Sequence, residues 1–297
     1  MNTTKTKIGF IGLGIMGQPM AINLCKAGYP LWVYARRKES MQPLLDMGAT
    51  ACSSLRELAR QVEVIILIVS GTPDVEHLVL GEIMLHALPG SVVVDMSTIS
   101  PIATRAIAKT LRARSIDMLD APVSGGETGA INATLSIMVG GKAAVFARIK
   151  PLFEVLGKNI VHVGKHGAGQ VAKACNQIVA GMTIQAIAEA LTFASKNNVD
   201  PVKVREALMG GFAASKILEV HGNRMLNENF KPGFKARLHQ KDIAIVMQTA
   251  KELGISLPGA THLMDSLNTI VDAGYGEMDS SVLIKVVTQM NDMLSTE

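Results

Sequence analysis

Short, unbroken apolar runs alternate with segments of helical periodicity through the first half of the chain, and the runs stop midway. Ile8–Ile11, Pro30–Tyr34, Val62–Val69, Ser91–Asp95, a run from Met118, Thr134–Val139 and Asn159–Val163 read as strands, several apolar enough to be buried on both faces. Ser53–Arg60, the segment opened by Ser100-Pro101, and Ala143–Leu156 read as helices between them. This alternation predicts a doubly wound, mostly parallel α/β sheet of the Rossmann type, built from βαβ units throughout. From Gly164 the character changes. Gly164-Lys165-His166-Gly167-Ala168-Gly169 is a glycine-rich break, and a long apolar-periodic helix is predicted from Gln170 to Lys196, ending at Asn197-Asn198. Pro201–Met209, Ser215–Asn227, Arg237–Leu253, Pro258–Ala273 and Ser280–Leu294 follow as helices. The expected organisation is an α/β chain with a dinucleotide-binding Rossmann domain over residues 1–164 and an all-α domain over residues 165–297, joined by the long helix.

The first strand runs into Gly12-Leu13-Gly14-Ile15-Met16-Gly17 and then a helical pattern ending near Gly28. The spacing G-x-G-x-x-G in that setting predicts a dinucleotide site. Gly12 permits the tight turn, Gly14 lets a pyrophosphate approach the backbone, and Gly17 lets helix pack on strand. Free N–H groups at the helix start complement the phosphates. At the end of the second strand, where NAD-preferring folds carry an acid for the ribose 2′-hydroxyl, the chain has Tyr34-Ala35-Arg36-Arg37-Lys38. The missing acid and two guanidinium groups favour NADP(H) over NAD(H). Val69 and Ser70 leave the next strand at its C-terminal end, where ligands bind in open α/β sheets. Thr98 offers a hydroxyl to cofactor or substrate, or is an ordinary loop residue. Ser124-Gly125-Gly126 reads as an anion-holding concavity or a plain loop. Lys173, Asn176 and Gln177 share one face of the long helix, a set able to protonate and orient a small oxygenated substrate at the expected domain cleft. Lys241 and Asp242 either reach the same cleft or form a solvated helix face.

Composition changes this picture little. A chain of 297 residues, 48% hydrophobic and 18% charged, is globular and long enough for two cores. A net charge of +4 without a basic run gives nucleic-acid binding no support. Cys25, Cys52 and Cys175 are scattered, with no metal-ligand spacing, and neither are the histidines so spaced; no metal is expected. The cysteines fit a reducing compartment, and Met1–Lys7 shows no apolar leader, so a cytoplasmic location is expected. Val62–Val69, the longest dense apolar run, is too short to span a bilayer, so no membrane partner is expected. The apolar second-half helices and 17 methionines point to a homodimer or homotetramer.

Three segments carry a resemblance beyond spacing: I-G-F-I-G-L-G-I-M-G-Q-P-M-A-I-N-L, D-A-P-V-S-G-G-E-T-G-A and G-A-G-Q-V-A-K-A-C-N-Q. Together with F-K-P-G-F-K-A-R-L-H-Q-K-D, they resemble, in order and over essentially the whole chain, the β-hydroxyacid dehydrogenase family related to 3-hydroxyisobutyrate dehydrogenase. The resemblance implies hydride transfer between NAD or NADP and a small 3-oxo or 3-hydroxy acid. It implies Lys173 as catalytic acid/base, Ser124, Gly125 and Gly126 on the substrate carboxylate, and Asn176 and Gln177 as orienting residues. Thr98 and Lys241 would lie on the cofactor, with Phe234 and Asp242 lining the site. The departure is Ala35-Arg36-Arg37, where NAD-using members often carry an acid.

Overall fold

The computed structural model describes residues 5–294, with side chains described to residue 289. Two compact units divide the chain, Met1–Lys173 and Ala174–Glu297.

The apolar runs of the first unit form nine strands: β1 Ile8–Ile11, β2 Leu31–Tyr34, β3 Thr50–Ala51, β4 Val64–Leu67, β5 Val92–Asp95, β6 Asp117–Asp120, β7 Val123–Ser124, β8 Leu135–Gly141 and β9 Gly157–Gly164. Their order in one sheet is β3-β2-β1-β4-β5-β6-β8-β7, with β9 on β8. All pairs from β3 through β6 are parallel, as is β8 with β9. The helices are α1 Gly17–Lys26, α2 Gln42–Leu45, α3 Leu55–Gln61, α4 Thr72–Glu76, α5 Met84–His86, α6 Pro101–Arg112, α7 Gly126–Ile131, α8 Ala143–Leu156 and the start of α9, Ala168–Lys196. Phe10, Met20, Leu24, Ile66 and Phe153 fill one core of this unit; Leu58, Ile65, Leu67, Val79 and Ile107 fill the other. Each such side chain contributes about 1.5–3 kcal/mol by leaving water.

Helix starts follow local chemistry. Ser54 accepts the Glu57 N–H at 3.2 Å while Glu57 reaches back to the Ser53 N–H at 2.8 Å. Ser100 accepts from Ile102 and Ala103 ahead of Pro101.

Two expectations are revised. The βαβ repeat fails after β6: β8 runs antiparallel to both β6 and β7, because the chain between them turns back through β7 and the six-residue α7. The segment opening at Ser70 also does not stay a loop. A helix begins at Thr72, with Pro73 in its first turn and Asp74 behind it, and continues through a π-helical stretch, His77–Ile83, into α5.

The second unit is helical, with an isolated bridge between Lys235 and Asp279 as its one described β feature. It holds the rest of α9, then α10 Pro201–Met209, α11 Asn223–Leu226, α12 Ala236–Leu253, α13 Pro258–Ile270 and α14 Leu283–Leu294. Ile184, Leu191, Ile243, Leu263, Leu267 and Val286 form its core. By length and composition α9 is long and apolar enough to cross a membrane. Ile184, Ile187, Ala188 and Leu191 of that helix pack in this core.

Candidate active site

One register line organises the first unit's chemistry. Tyr34, Ile11, Leu67, Asp95 and Asp120 lie side by side across β2, β1, β4, β5 and β6. The chain therefore leaves five neighbouring strands at one level. Arg36 and Arg37, Gly12–Gly17, Val69 and Ser70, Thr98, and Ser124–Gly126 all follow within six residues of that line. Strand order reverses between β2-β1 and β4-β5, so β1 and β4 flank the topological switch point where such sheets bind ligands.

The glycine turn is sterically fixed. Gly12 has φ +95°, and a Cβ there would lie 2.1 Å from the Ile68 carbonyl oxygen. A Cβ on Gly17 would lie 1.9 Å from the Gly12 oxygen. Around the corresponding position of Gly14 there is nothing within 4 Å. Two glycines close the turn and the third leaves a face of backbone open, a cradle that fits a pyrophosphate. The first turn of α1 has no side-chain cap and no acid. In it Gln18 and Met20 donate to the Gly14 and Met16 carbonyl oxygens and Pro19 has no N–H, so the N–H groups that suit phosphate oxygens are those of the Gly12–Gly17 turn itself. Within the loop Leu13 is only 5% exposed and belongs to the core, whereas Ile15 is 55% exposed. Arg36 and Arg37 are exposed just past β2, Ser70 is exposed, and Val69 and Thr98 are half-buried. Ser124 is half-buried ahead of two exposed glycines in left-handed conformations, Gly125 with φ +136° and Gly126 with φ +62°.

Lys173 lies in the second turn of α9 and is 7% exposed. Beneath it the structure shows anchors that pattern reading missed. Asp120 is buried and accepts the N–H groups of Gly167 at 2.8 Å and Gln170 at 3.1 Å, the N-terminal donors of α9. Burial raises its carboxyl pKa to about 6, against the lowering effect of those N–H groups. A Cβ on Gly140 or Gly169 would come within 3 Å of the same carboxylate, so both glycines make room for it. The only trace of this anchor in the sequence is a polar residue ending an apolar strand.

In the second unit four predicted residues form one hydrogen-bonded chain. Asn176 donates to Gln177 Oε1 at 2.8 Å, and Gln177 Nε2 donates to Asp242 Oδ2 at 2.7 Å. Lys241 Nζ pairs with Asp242 Oδ1 at 3.0 Å. Gln177 and Asp242 are both buried, so their polar groups are committed to holding Asn176 and Lys241. The Phe234 ring lies 5.6 Å from the buried His239 ring. Asp279, also absent from the expectation, is fully buried and gathers Gly233, Phe234, Ser281, His221 and Arg224.

Comparison with known proteins identifies the family. Residues 7–164 match the family model described as the NAD binding domain of 6-phosphogluconate dehydrogenase. Residues 167–287 match the one described as NAD-binding of NADP-dependent 3-hydroxyisobutyrate dehydrogenase. The chain is 49% identical to 2-hydroxy-3-oxopropionate reductase of Escherichia coli (strain K12), over 96% of this chain and 98% of that one. It is 35% identical to a 3-hydroxyisobutyrate dehydrogenase of Pseudomonas aeruginosa, over 95% and 98% of the two chains. Among solved structures, a Mycobacterium tuberculosis 3-hydroxyisobutyrate dehydrogenase with L-serine superposes with a TM-score of 0.89 at 30% identity, covering 95% of this chain and 99% of that one. With a nucleotide-binding turn at the switch point and full-length likeness to these enzymes, the chain belongs to the 3-hydroxyisobutyrate dehydrogenase-related family of NAD(P)-dependent β-hydroxyacid dehydrogenases.

Proposed function

We propose that the protein reduces 2-hydroxy-3-oxopropanoate (tartronate semialdehyde) to glycerate, with NADPH preferred over NADH. The observation that carries this reading is the 49% identity along 96% of the chain to a reductase named for that substrate.

When bound, the nicotinamide cofactor supplies a hydride equivalent to the aldehyde carbon. Residues 12–17 hold its pyrophosphate and Thr98 and Lys241 contact it, while the chain's other groups act on the substrate. Backbone N–H groups of Ser124, Gly125 and Gly126 hold the substrate carboxylate; the positive φ of Gly125 and Gly126, a backbone turn of the kind that binds anions, supports this. The Lys173 ammonium hydrogen-bonds the aldehyde oxygen, stabilises the negative charge that develops there, and passes its proton to that oxygen as the C–H bond forms. In the oxidative direction its neutral amine takes the alcohol proton. Asn176 orients the substrate hydroxyl, held in place by Gln177; Asp242 holds Lys241, and Phe234 lines the site. The functional division of the chain falls at residue 164, ahead of α9.

A panel of tartronate semialdehyde, methylmalonate semialdehyde, glyoxylate and succinic semialdehyde tests the substrate. Tartronate semialdehyde is expected to give the highest kcat/KM. A higher value for any other member reassigns the enzyme, to 3-hydroxyisobutyrate dehydrogenase or to a glyoxylate or succinic semialdehyde reductase. Absence of turnover with all four leaves a non-catalytic nucleotide-binding protein.

For the cofactor, Arg36→Ala and Arg37→Ala are each expected to lower kcat/KM for NADPH by about ten- to a hundredfold. That is the loss of one charge-assisted bond of about 1.5–3 kcal/mol. NADH kinetics should barely change. A wild-type preference for NADH removes the basis of this assignment.

An exposed apolar stripe along α9, including Val171, Val179, Met182 and Phe193, supports a homodimer or homotetramer. Three free cysteines support a cytoplasmic location.

A further inference from the structure

One side chain binds the peptide groups on both sides of Thr98. Gln170 Nε2 donates to the Ser97 carbonyl oxygen at 2.8 Å, and its Oε1 accepts the Ile99 N–H at 3.1 Å. The amide spends a donor and an acceptor on this one loop, in a place where Gln170 is 1% exposed. The loop is braced from below as well: Asp95 Oδ1 accepts the Ser97 N–H at 2.9 Å, and Ser97 Oγ accepts the Val69 N–H at 2.9 Å. On the helix side, the Gln170 backbone N–H is held by Asp120 Oδ2 at 3.1 Å. Lys173 follows on the same helix three residues later, about 4.5 Å along its axis and on a neighbouring part of the same face.

We propose that Gln170 is a positioning residue that sets the distance between the Thr98 loop and Lys173, and so the alignment of cofactor and proton donor. The proposal rests on the reading of Thr98 as a cofactor contact and Lys173 as the acid. A buried amide bonded at both ends has one orientation, and a helical turn is stiff, so displacement of the loop is resisted at the lysine. Loss of the clamp frees the loop by fractions of an ångström. Misplacements near 1 Å cost about a hundredfold in rate.

Glutamine suits the task because it offers a donor and an acceptor on one planar group. Leucine fills a similar volume and offers neither. Glutamic acid reproduces the pair only when protonated; ionised, it sets an acceptor against the Ser97 carbonyl oxygen. Burial favours the protonated form, so its titration falls within the range of an assay. Charged and titratable groups near this place are Asp120, on the Gln170 N–H, Asp95, on the Ser97 N–H, and Arg105, whose side chain lies against Gly167 just before α9. Lys173 lies one turn on. All four are present in the wild type, so the difference between profiles isolates the introduced acid.

The test measures kcat and KM for the aldehyde from pH 5.5 to 8.5 (about the range in which a buried carboxylic acid titrates) in wild type, Gln170→Leu, Gln170→Glu and Lys173→Ala. NADPH titration by fluorescence counts competent sites, and circular dichroism checks folding. Gln170→Leu is expected to lose about ten- to a hundredfold in kcat per competent site, with KM and NADPH affinity within threefold of wild type (about 0.7 kcal/mol). Gln170→Glu is expected to lose kcat at high pH and regain it as pH falls, on an ionisation absent from the wild-type profile. A folded Gln170→Leu with wild-type kcat overturns the proposal, as does a Gln170→Glu profile parallel to wild type. If Gln170→Leu does not fold, the Gln170→Glu profile alone decides. Wild-type turnover by Lys173→Ala instead overturns the reading beneath it, an outcome distinct from an inactive Lys173→Ala beside an unaffected Gln170→Leu.

Discussion

Replacing Lys173 by alanine is expected to lower kcat by about 10²–10⁴-fold, the usual contribution of a positioned acid–base group. The side chain lies on α9 with 7% exposure. Its backbone position is fixed three residues upstream by Asp120 and Gln170. No other lysine in the first turns of α9 can replace it. Because the interaction matters most in the transition state, kcat and kcat/KM should fall together, with NADPH affinity kept. Lys173→Arg separates two contributions: it keeps the positive charge and lacks a proton that can be transferred. The rate it recovers over alanine is electrostatic, and the rest is proton transfer. A small primary amine added to Lys173→Ala should restore part of the activity. Near-wild-type turnover by Lys173→Ala would remove the lysine from the mechanism.

The second large effect concerns stability. Asp279 is fully buried; its Oδ2 accepts the Gly233 N–H at 3.0 Å and the Phe234 N–H at 3.1 Å, and its Oδ1 accepts the Ser281 hydroxyl at 2.8 Å. His221 Nδ1 lies 3.3 Å and Arg224 Nη1 3.2 Å from it. Asp279→Asn leaves the Arg224 guanidinium, His221 and the N–H donors facing an amide that meets only part of their demand. A loss of about 3–5 kcal/mol is expected, as for breaking one side of a buried ion pair. The two units can be followed separately, because the single tryptophan, Trp32, lies in β2 of the first unit and reports on that unit alone, whereas far-ultraviolet circular dichroism reports on the helices of both. In urea the circular-dichroism transition of Asp279→Asn should move to lower concentration while the tryptophan transition stays. Coincident transitions at the wild-type midpoint would show that the cluster contributes little.

Acid should reproduce this loss. Burial alone would raise the Asp279 pKa, but the close approach of His221 and hydrogen bonds from the Ser281 hydroxyl and the Phe234 and Ser281 N–H groups outweigh it, holding it well below the usual carboxylate range. As pH falls, the unfolded chain takes up its proton first. The stabilisation is therefore complete above about pH 4 and is lost as pH falls further, through the folded value. Asp120 has the opposite sign. Its pKa is raised to about 6, so its contribution is largest below the unfolded value and is lost as pH rises through about 6. On these two groups, acid weakens the second unit before the first, and Asp279→Asn should abolish the acid sensitivity of the circular-dichroism transition.

How far the chain could be read from its residues depended on the range of the interaction. The glycine turn was legible because Gly12, Gly14 and Gly17 act on backbone within a few residues of themselves. Helix α8 was expected at Ala143–Leu156 and is found there; α9 was expected from Gln170 and starts at Ala168. Pro201–Met209 likewise coincides with α10. The antiparallel setting of β8 was not legible, since its run of apolar residues reads like those of the parallel strands β4 and β5 and only pairing distinguishes them. The helix from Thr72 was missed although Thr72-Pro73-Asp74 is a local helix-start pattern; reading the strand end as a ligand loop obscured it.

The polar anchors divide the same way. Lys173, Asn176 and Gln177 stood out through helical spacing, a local property. Asp120, Gln170 and Asp279 did not, because their partners lie 47, 73 and 45 residues away in the chain. Alternating runs and the glycine spacing were enough to determine a Rossmann unit and a helical unit, since each depends on periodicity and short-range sterics. One helix face offered Lys173, Asn176 and Gln177 as candidates, and the acid/base role of Lys173 came from the family resemblance. Tertiary structure alone decided that Gln170 clamps the Thr98 loop, that Asp120 holds the start of α9, and that Gln177 and Asp242 support their neighbours. A buried polar group must find a partner wherever the fold brings one, and that choice has no period.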